Sequence, residues 1–403
     1  MNELTSLGLI LLLALLAGHL VKFIRVPEVT GYILAGVALG PSVLGWLSHD
    51  NLIAVGLLSE VALGLILFSV GSVFEWNVFR RIGRRVALIT LVESTLAAST
   101  VLIGILLMGY SWQVAALLGS IAIATAPAST LMVVRECDSA GPLTDNLLGI
   151  IAVNNLFCIV VFSVAAAAID MASPADAATT SVAMESALRL TWHLLGSAAL
   201  GYLVGLLLAI WSSQVTDNGE ILILLAGSIL LCVGVSRWLD LSALVASLAV
   251  GATMVNLTDR GRSLFATLAG TDPPFYAIFF VLAGAELDLR LISAIGGLGL
   301  VYLVGRAGGK FFGARLAARW LGLERSVQQY LGFALLAQAG LAVGLTLSVN
   351  ARFENLSQIV STVVLGSVAV YEVIGPTSTR FALARAGEIG RAKAGAPMVS
   401  ADA

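Results

Sequence analysis

Gly149-Ile150-Ile151-Ala152-Val153-Asn154-Asn155-Leu156-Phe157-Cys158-Ile159-Val160-Val161-Phe162 is the stretch that decides how this chain reads. Apart from two adjacent amides at its centre, the run suits the hydrocarbon of a bilayer. A polar side chain at that depth costs free energy unless it is paired, which marks the spot as functional. Two amides offer carbonyl oxygens and N–H donors, but neither a charge nor a proton to trade. The stretch therefore reads as a polar site inside a membrane, and it leaves proton movement open.

The rest of the chain agrees with a membrane setting. Of 403 residues, 59% are hydrophobic and only 11% charged, against about a quarter charged in soluble domains. Apolar stretches of roughly 20 residues recur from end to end, the signature of transmembrane helices. Thirteen segments are predicted, at about 4–24, 29–47, 51–73, 84–109, 112–134, 143–169, 187–211, 219–238, 240–256, 263–286, 291–320, 327–349 and 354–384. Two read as interrupted: the second by Gly36, Gly40 and Pro41, and the fifth by Thr125-Ala126-Pro127. The first segment lacks a basic leader and a small-residue cleavage site, so it reads as a true helix rather than a signal peptide. The tail after Arg385 is rich in Ala and Gly and is expected to be frayed.

Several function classes lose support at this point. Cys137, Cys158 and Cys232 are isolated, with neither a disulfide framework nor metal-ligand spacing. No nucleophile–base pair, metal cluster or phosphate loop points to an enzyme or to a bound cofactor. The net charge of −2 gives no support to nucleic-acid binding.

Basic residues set the expected orientation. With the N-terminus outside, the inner connections hold Lys22, Arg25, Arg80, Arg81, Arg84, Arg85, Arg135, Arg260, Arg262, Arg315, Arg319, Arg325, Arg380, Arg385, Arg391 and Lys393. The outer connections hold only Arg189, Arg237, Arg290 and Arg352. That asymmetry follows the positive-inside rule for an odd number of spans, N-terminus out and C-terminus in. Thirteen spans divide into six, one and six, and an offset of seven spans inverts the second half relative to the first. Inverted repeats with broken helices meeting at mid-membrane are a common build of secondary transporters. The broken fifth segment would then pair with the twelfth, interrupted at Gln338-Ala339-Gly340.

The chain resembles bacterial members of the monovalent cation:proton antiporter superfamily, the sodium/hydrogen exchangers. The residues that carry the resemblance are Arg25 to Gly36 with Leu39-Gly40-Pro41, Glu60 through Val70-Gly71, Ala124-Thr125-Ala126-Pro127-Ala128, Phe279 to Ala285, Gly305-Arg306 with Gly309-Lys310, and Gln338-Ala339-Gly340. The resemblance covers about residues 4–390, with these motifs in family order. The resemblance implies a homodimer in a bacterial inner membrane that exchanges Na⁺ or K⁺ for H⁺ by an elevator movement. A transmembrane domain over 1–390 would divide into a mobile core (about 84–169 and 291–384) and a scaffold of the remaining helices, with a short cytoplasmic tail at 391–403.

One departure from the family matters. The position of Asn154-Asn155 is an Asp-Asp or Asn-Asp pair in the family, so Asn155 stands where the proton-carrying acid is expected. An amide can still give a hard cation one oxygen ligand, but it has no proton to release. Two explanations stay open: the protein moves its substrate by another route, or the amides are substitutions that mimic the protonated state. Two other functions are also open, a same-fold transporter without proton coupling that carries an anionic solute past Arg306, and a non-transporting membrane sensor or assembly factor.

Candidate site residues follow from depth and helical spacing. Arg306 and Lys310 are four residues apart and share a helix face; either is expected to supply the buried counter-charge, with Glu286, Glu93 or Glu60 as partner. Glu93 falls near the centre of its segment, Glu60 near the start of the third, and Glu286 at the end of the tenth. Thr125 and Ser129 flank the break at Pro127 and are candidate cation ligands together with Asn154 and Asn155. Glu372, one turn before Pro376, is expected to bond exposed backbone groups rather than an ion.

Overall fold

The computed structural model describes residues 3–24, 26–47, 58, 61–69, 71, 74, 76–172, 192–215, 217–258, 273–294 and 296–394. These residues form helices and connections with no strand among them. The principal helices are α1 (Glu3–Phe23), α2 (Glu28–Leu39), α3 (Trp76–Leu107), α4 (Trp112–Ile121), α5 (Pro127–Glu136), α6 (Pro142–Ala172) and α7 (Ser197–Ser212). They continue with α8 (Asn218–Trp238), α9 (Ala243–Leu257), α10 (Pro273–Ala285), α11 (Gly296–Trp320), α12 (Arg325–Ala334), α13 (Gly340–Arg352) and α14 (Glu354–Ala386). A short helix, Leu289–Ala294, links α10 to α11. Among the described residues, five stretches are long and apolar enough to cross a bilayer by themselves: Leu4–Phe23, Gly83–Leu107, Pro142–Asp170, Gly219–Trp238 and Glu354–Ala386. Glu60 and much of the third apolar segment lie outside the described residues.

Two helices are broken in mid-course, and the sequence explains one break directly. Pro127 opens α5 with no N–H to offer, and its ring drives Ala126 out of the helical region (φ −76°, ψ 114°). Residues 122–126 are therefore unwound between α4 and α5. The second break, between α12 and α13, contains no proline. It centres on Ala339, whose backbone lies outside the helical region (φ −155°, ψ −136°), and α13 resumes at Gly340. The two breaks touch: the N–H of Ala126 donates to the carbonyl of Ala337 at 3.0 Å.

Close glycine contacts set the helix spacing around these breaks. Along α11, a Cβ on Gly309 would sit 2.4 Å from Cα of Ala97, and one on Gly313 would sit 2.6 Å from Cα of Glu93. No carbon tolerates such approach, so only glycine lets α3 and α11 lie backbone to backbone. The expected interruption at Gly36 is corrected by the same physics. Helix α2 runs unbroken to Leu39, and Gly36 serves close packing, since a Cβ there would lie 2.0 Å from the carbonyl oxygen of Val281 on α10. The chain turns only after Gly40-Pro41, where Leu44, Gly45 and Leu47 donate back to Ala38, Gly40 and Leu39.

Among the described residues, three large apolar cores result, beside a small cluster around Leu131 and Ala152. One joins α2, α10 and the Glu136-side ends of α5, α6, α12 and α14; a second joins α3, α4, α6, α11, α13 and α14 at the opposite ends. The third gathers α7, α8 and α9 with Leu65 and Phe68. Helix α14 packs on both broken helices and on α2.

The tail expected to fray is instead docked as far as Ala392. Gly390 and Ala392 donate to the carbonyls of Cys137 and Asp138, and Ala140 donates to Glu388. The Glu388 carboxylate, 1% exposed, accepts from the N–H groups of Leu143 and Thr144 (2.7 and 2.8 Å) and from the Thr144 hydroxyl (2.7 Å). A carboxylate at the start of α6 satisfies N–H groups that have no partner inside the helix and complements its dipole.

Candidate functional site at the crossing of the broken helices

Each break frees carbonyl groups that the interrupted helix cannot satisfy, and buried carbonyls need donors. Arg306 supplies them. Its Nε donates to Ala122 (3.1 Å), Nη1 to Leu336 (2.7 Å), and Nη2 to Ala124 (2.7 Å) and Ala337 (3.2 Å). The guanidinium also lies 4.3 Å from the centre of the Tyr371 ring. A rigid fork with five N–H donors suits this task, and the side chain is wholly buried. Gln338 adds a parallel tie, donating to Ile121 (3.1 Å) and to the Tyr302 hydroxyl (2.8 Å). The expectation that Arg306 takes a carboxylate partner is thus corrected, because its donors are spent on the backbone of both breaks.

Lys310, one turn along α11, takes the carboxylate. Its ammonium donates to Glu93 Oε2 at 3.0 Å and to Thr125 Oγ1 at 2.9 Å, with both members of the ion pair fully buried. The other oxygen of Glu93 accepts from Asn154 Nδ2 (2.5 Å) and from the Ser94 hydroxyl (3.0 Å). Asn154 Nδ2 reaches Ser94 as well (2.9 Å), while its Oδ1 is enclosed and has no donor. Glycine at 309 and 313 makes this pair possible, since it brings the α3 backbone within reach of a side chain rooted on α11.

Asn155 points the other way. Its Oδ1 accepts from the N–H of Thr125 at 3.3 Å, and its side chain is part of the wall of a cavity of about 350 Å³. The remaining lining is apolar and includes Pro127, Leu67, Leu248, Phe279 and Gly340. The first turns of α5 and α13 both open on this cavity.

The structure therefore brings Asn154, Asn155, Thr125, Glu93 and Lys310 together at the fifth-segment break, with Pro127, Gln338 and Gly340 shaping the two breaks. Ser129 is buried in the first turn of α5. Glu286 follows α10 and is exposed, whereas the members of the Glu93–Lys310 pair are fully buried. Sequence reading missed Ser94, Tyr302 and Tyr371. Ser94 carried a signal, as a hydroxyl next to a buried acid, whereas the tyrosines become polar partners only through contacts across helices.

Half-helices meeting end to end around a buried polar site are a build found in membrane transporters. A family model described as "Sodium/hydrogen exchanger, transmembrane" matches residues 8–385, and the chain belongs to that family of cation:proton antiporters. The fold is that of the sodium proton antiporter MjNhaP1 from Methanocaldococcus jannaschii, with a TM-score of 0.72 at 16% identity over 96% of this chain and 98% of that one. Among curated proteins, the ammonium/H⁺ antiporter subunit AmhT of Alkalihalophilus pseudofirmus is 24% identical over 335 residues, 83% of each chain. The iron transporter MagA of Paramagnetospirillum magneticum is 32% identical over 141 residues. That match takes in 35% of this chain and 31% of the relative's length.

Proposed function

We propose that this protein exchanges a monovalent cation for protons at the Glu93–Lys310 pair. It would work as a homodimer in a bacterial inner membrane, through an elevator movement of the core helices against the scaffold. The supporting observation is the pair itself: a carboxylate and an ammonium, fully buried, at the one break where amide and hydroxyl oxygens also converge. A buried carboxylate can be neutralised by its lysine or by an incoming cation, but not by both. When a cation takes Glu93, with Asn154 Oδ1 and Thr125 Oγ1 as further oxygen ligands, Lys310 loses its counter-ion and gives up its proton. The released proton balances the charge that entered.

The thirteen-span, inverted-repeat topology with the N-terminus out fits the helix order and the basic-residue asymmetry. The AmhT relative adds ammonium to Na⁺ and K⁺ as candidate cations. The anionic-solute reading is disfavoured, because four of the five N–H donors of Arg306 are committed to carbonyls. Proteoliposomes with an acidic lumen test the proposal: addition of Na⁺, K⁺ or NH₄⁺ should drive proton efflux in the parent and not in Glu93→Gln or Lys310→Met. No cation-driven proton flux, in the parent or after Asn155→Asp, overturns it.

A further inference from the structure

Asn155 has no proton to give, and both oxygens of Glu93 are engaged. A second buried acid lies outside this cluster. Glu372, on α14, is 5% exposed, and its Oε2 is enclosed with no hydrogen-bond partner. The expected role in bonding freed backbone groups is therefore not what the structure shows. Pro376, four residues on, has no N–H to return to the carbonyl of Glu372. One turn of α14 thus presents a side-chain oxygen and a main-chain oxygen that both lack their usual donor.

Among the described residues, no cation serves this carboxylate. Arg306 reaches the neighbouring Tyr371 ring, but four of its five N–H donors are spent on the breaks. On the surrounding elements, Glu28 is committed to Lys22 and Tyr32, Arg135 to Tyr276, and Glu136 to Arg380 and the Glu28 N–H. Lys310 is committed to Glu93 and Arg352 to Asp170, and Arg290 and Arg325 are exposed at helix ends. The ionisable group that acts on Glu372 is another acid, Glu286, exposed just past α10. A buried carboxylate whose electrostatic neighbour is also acidic cannot remain an uncompensated anion and must hold a positive species.

We propose that Glu372 is a second exchange site, which holds a proton or a monovalent cation in turn, with its own main-chain carbonyl as a further ligand and Glu286 as the acid leading to it from the aqueous surface. On exchange the carboxylic O–H bond breaks, the proton passes to water at Glu286, and the cation takes its place, so charge is conserved. The inference rests on the exchanger reading but not on the Glu93–Lys310 pair.

Infrared difference spectroscopy of the purified protein, with and without saturating Na⁺, K⁺ or NH₄⁺, tests it beside proteoliposome flux across a pH series. The parent should show a carboxylic-acid C=O band that disappears on cation addition. That band should be absent from Glu372→Gln and kept, at a shifted position, in Glu372→Asp. In flux, Glu372→Gln should raise the apparent KM for the cation about tenfold, equivalent to ~1.4 kcal/mol, and flatten the pH profile, with Glu372→Asp restoring part of both. A band unaltered by cation or by Glu372→Gln, or a flux profile identical to the parent, overturns the site. The expected band response in a parent that performs no exchange sinks the exchanger reading and leaves the site standing. Should Glu372→Gln fail to fold, the cation response of the parent and Glu372→Asp bands decides alone.

Discussion

Removing one partner of the Glu93–Lys310 pair should damage the protein far more than removing both. Glu93→Gln leaves the Lys310 ammonium buried without a counter-charge, with only the Thr125 hydroxyl and a neutral amide beside it. Lys310→Met leaves the Glu93 carboxylate with the Asn154 amide and the Ser94 hydroxyl, but no counter-charge. An uncompensated buried charge costs about 3–5 kcal/mol, whereas replacing a whole buried pair by groups of similar volume is often close to neutral. Each single variant is therefore expected to lose ~3–5 kcal/mol, and Glu93→Gln/Lys310→Met to lie within ~1 kcal/mol of the parent. Unfolding of the four proteins in detergent gives the double-mutant cycle. The coupling should be several kcal/mol, far above the ~0.5 kcal/mol scatter of independent sites. The same four proteins in proteoliposomes separate folding from exchange, since the double variant should fold yet carry no cation-driven proton flux. A double variant as unstable as the sum of the singles would refute the reasoning, because the two charges would then not be compensating each other.

Other perturbations test the supports of the site. Gly313→Val should push α3 from α11 at Glu93, costing about 1–3 kcal/mol from overpacking and abolishing exchange; retained flux at parental rates counts against the close approach that would leave a Cβ on Gly313 only 2.6 Å from Cα of Glu93. Glu388→Ala removes the acceptor of three hydrogen bonds at the start of α6 and should cost ~1–3 kcal/mol, with faster hydrogen exchange at Leu143 and Thr144; unchanged exchange there disproves the docked tail. Burial lifts the Glu136 carboxyl above its ordinary value of 4.5, while Arg380 and Lys22 pull it back. A carboxyl raised in the folded state stabilises it below the unfolded pKa and loses that contribution as pH rises through the folded one. Glu136→Gln should accordingly gain on the parent in thermal stability as pH climbs from 4.5, and parallel pH curves would contradict this.

The chain's own order of residues determined a good deal. Apolar runs with few charges require helices, because an unpaired backbone group cannot be hidden in hydrocarbon, and Pro127 cannot sit inside one without breaking it. The same depth argument picked out Asn154, Asn155, Glu93 and Lys310, since polar groups in such runs must find partners. Who partners whom was decided only by tertiary structure. Arg306 and Lys310 share a face and a charge, yet one serves four carbonyls and the other a carboxylate. Their difference comes from where the breaks at 122–126 and 335–339 fall when the helices cross, and from glycines that bring α3 against α11. The unbroken course of α2, the docked Glu388 and the open oxygen of Glu372 were hidden for the same reason. Each depends on a neighbour more than thirty positions away along the chain, and local periodicity carries no information about that neighbour.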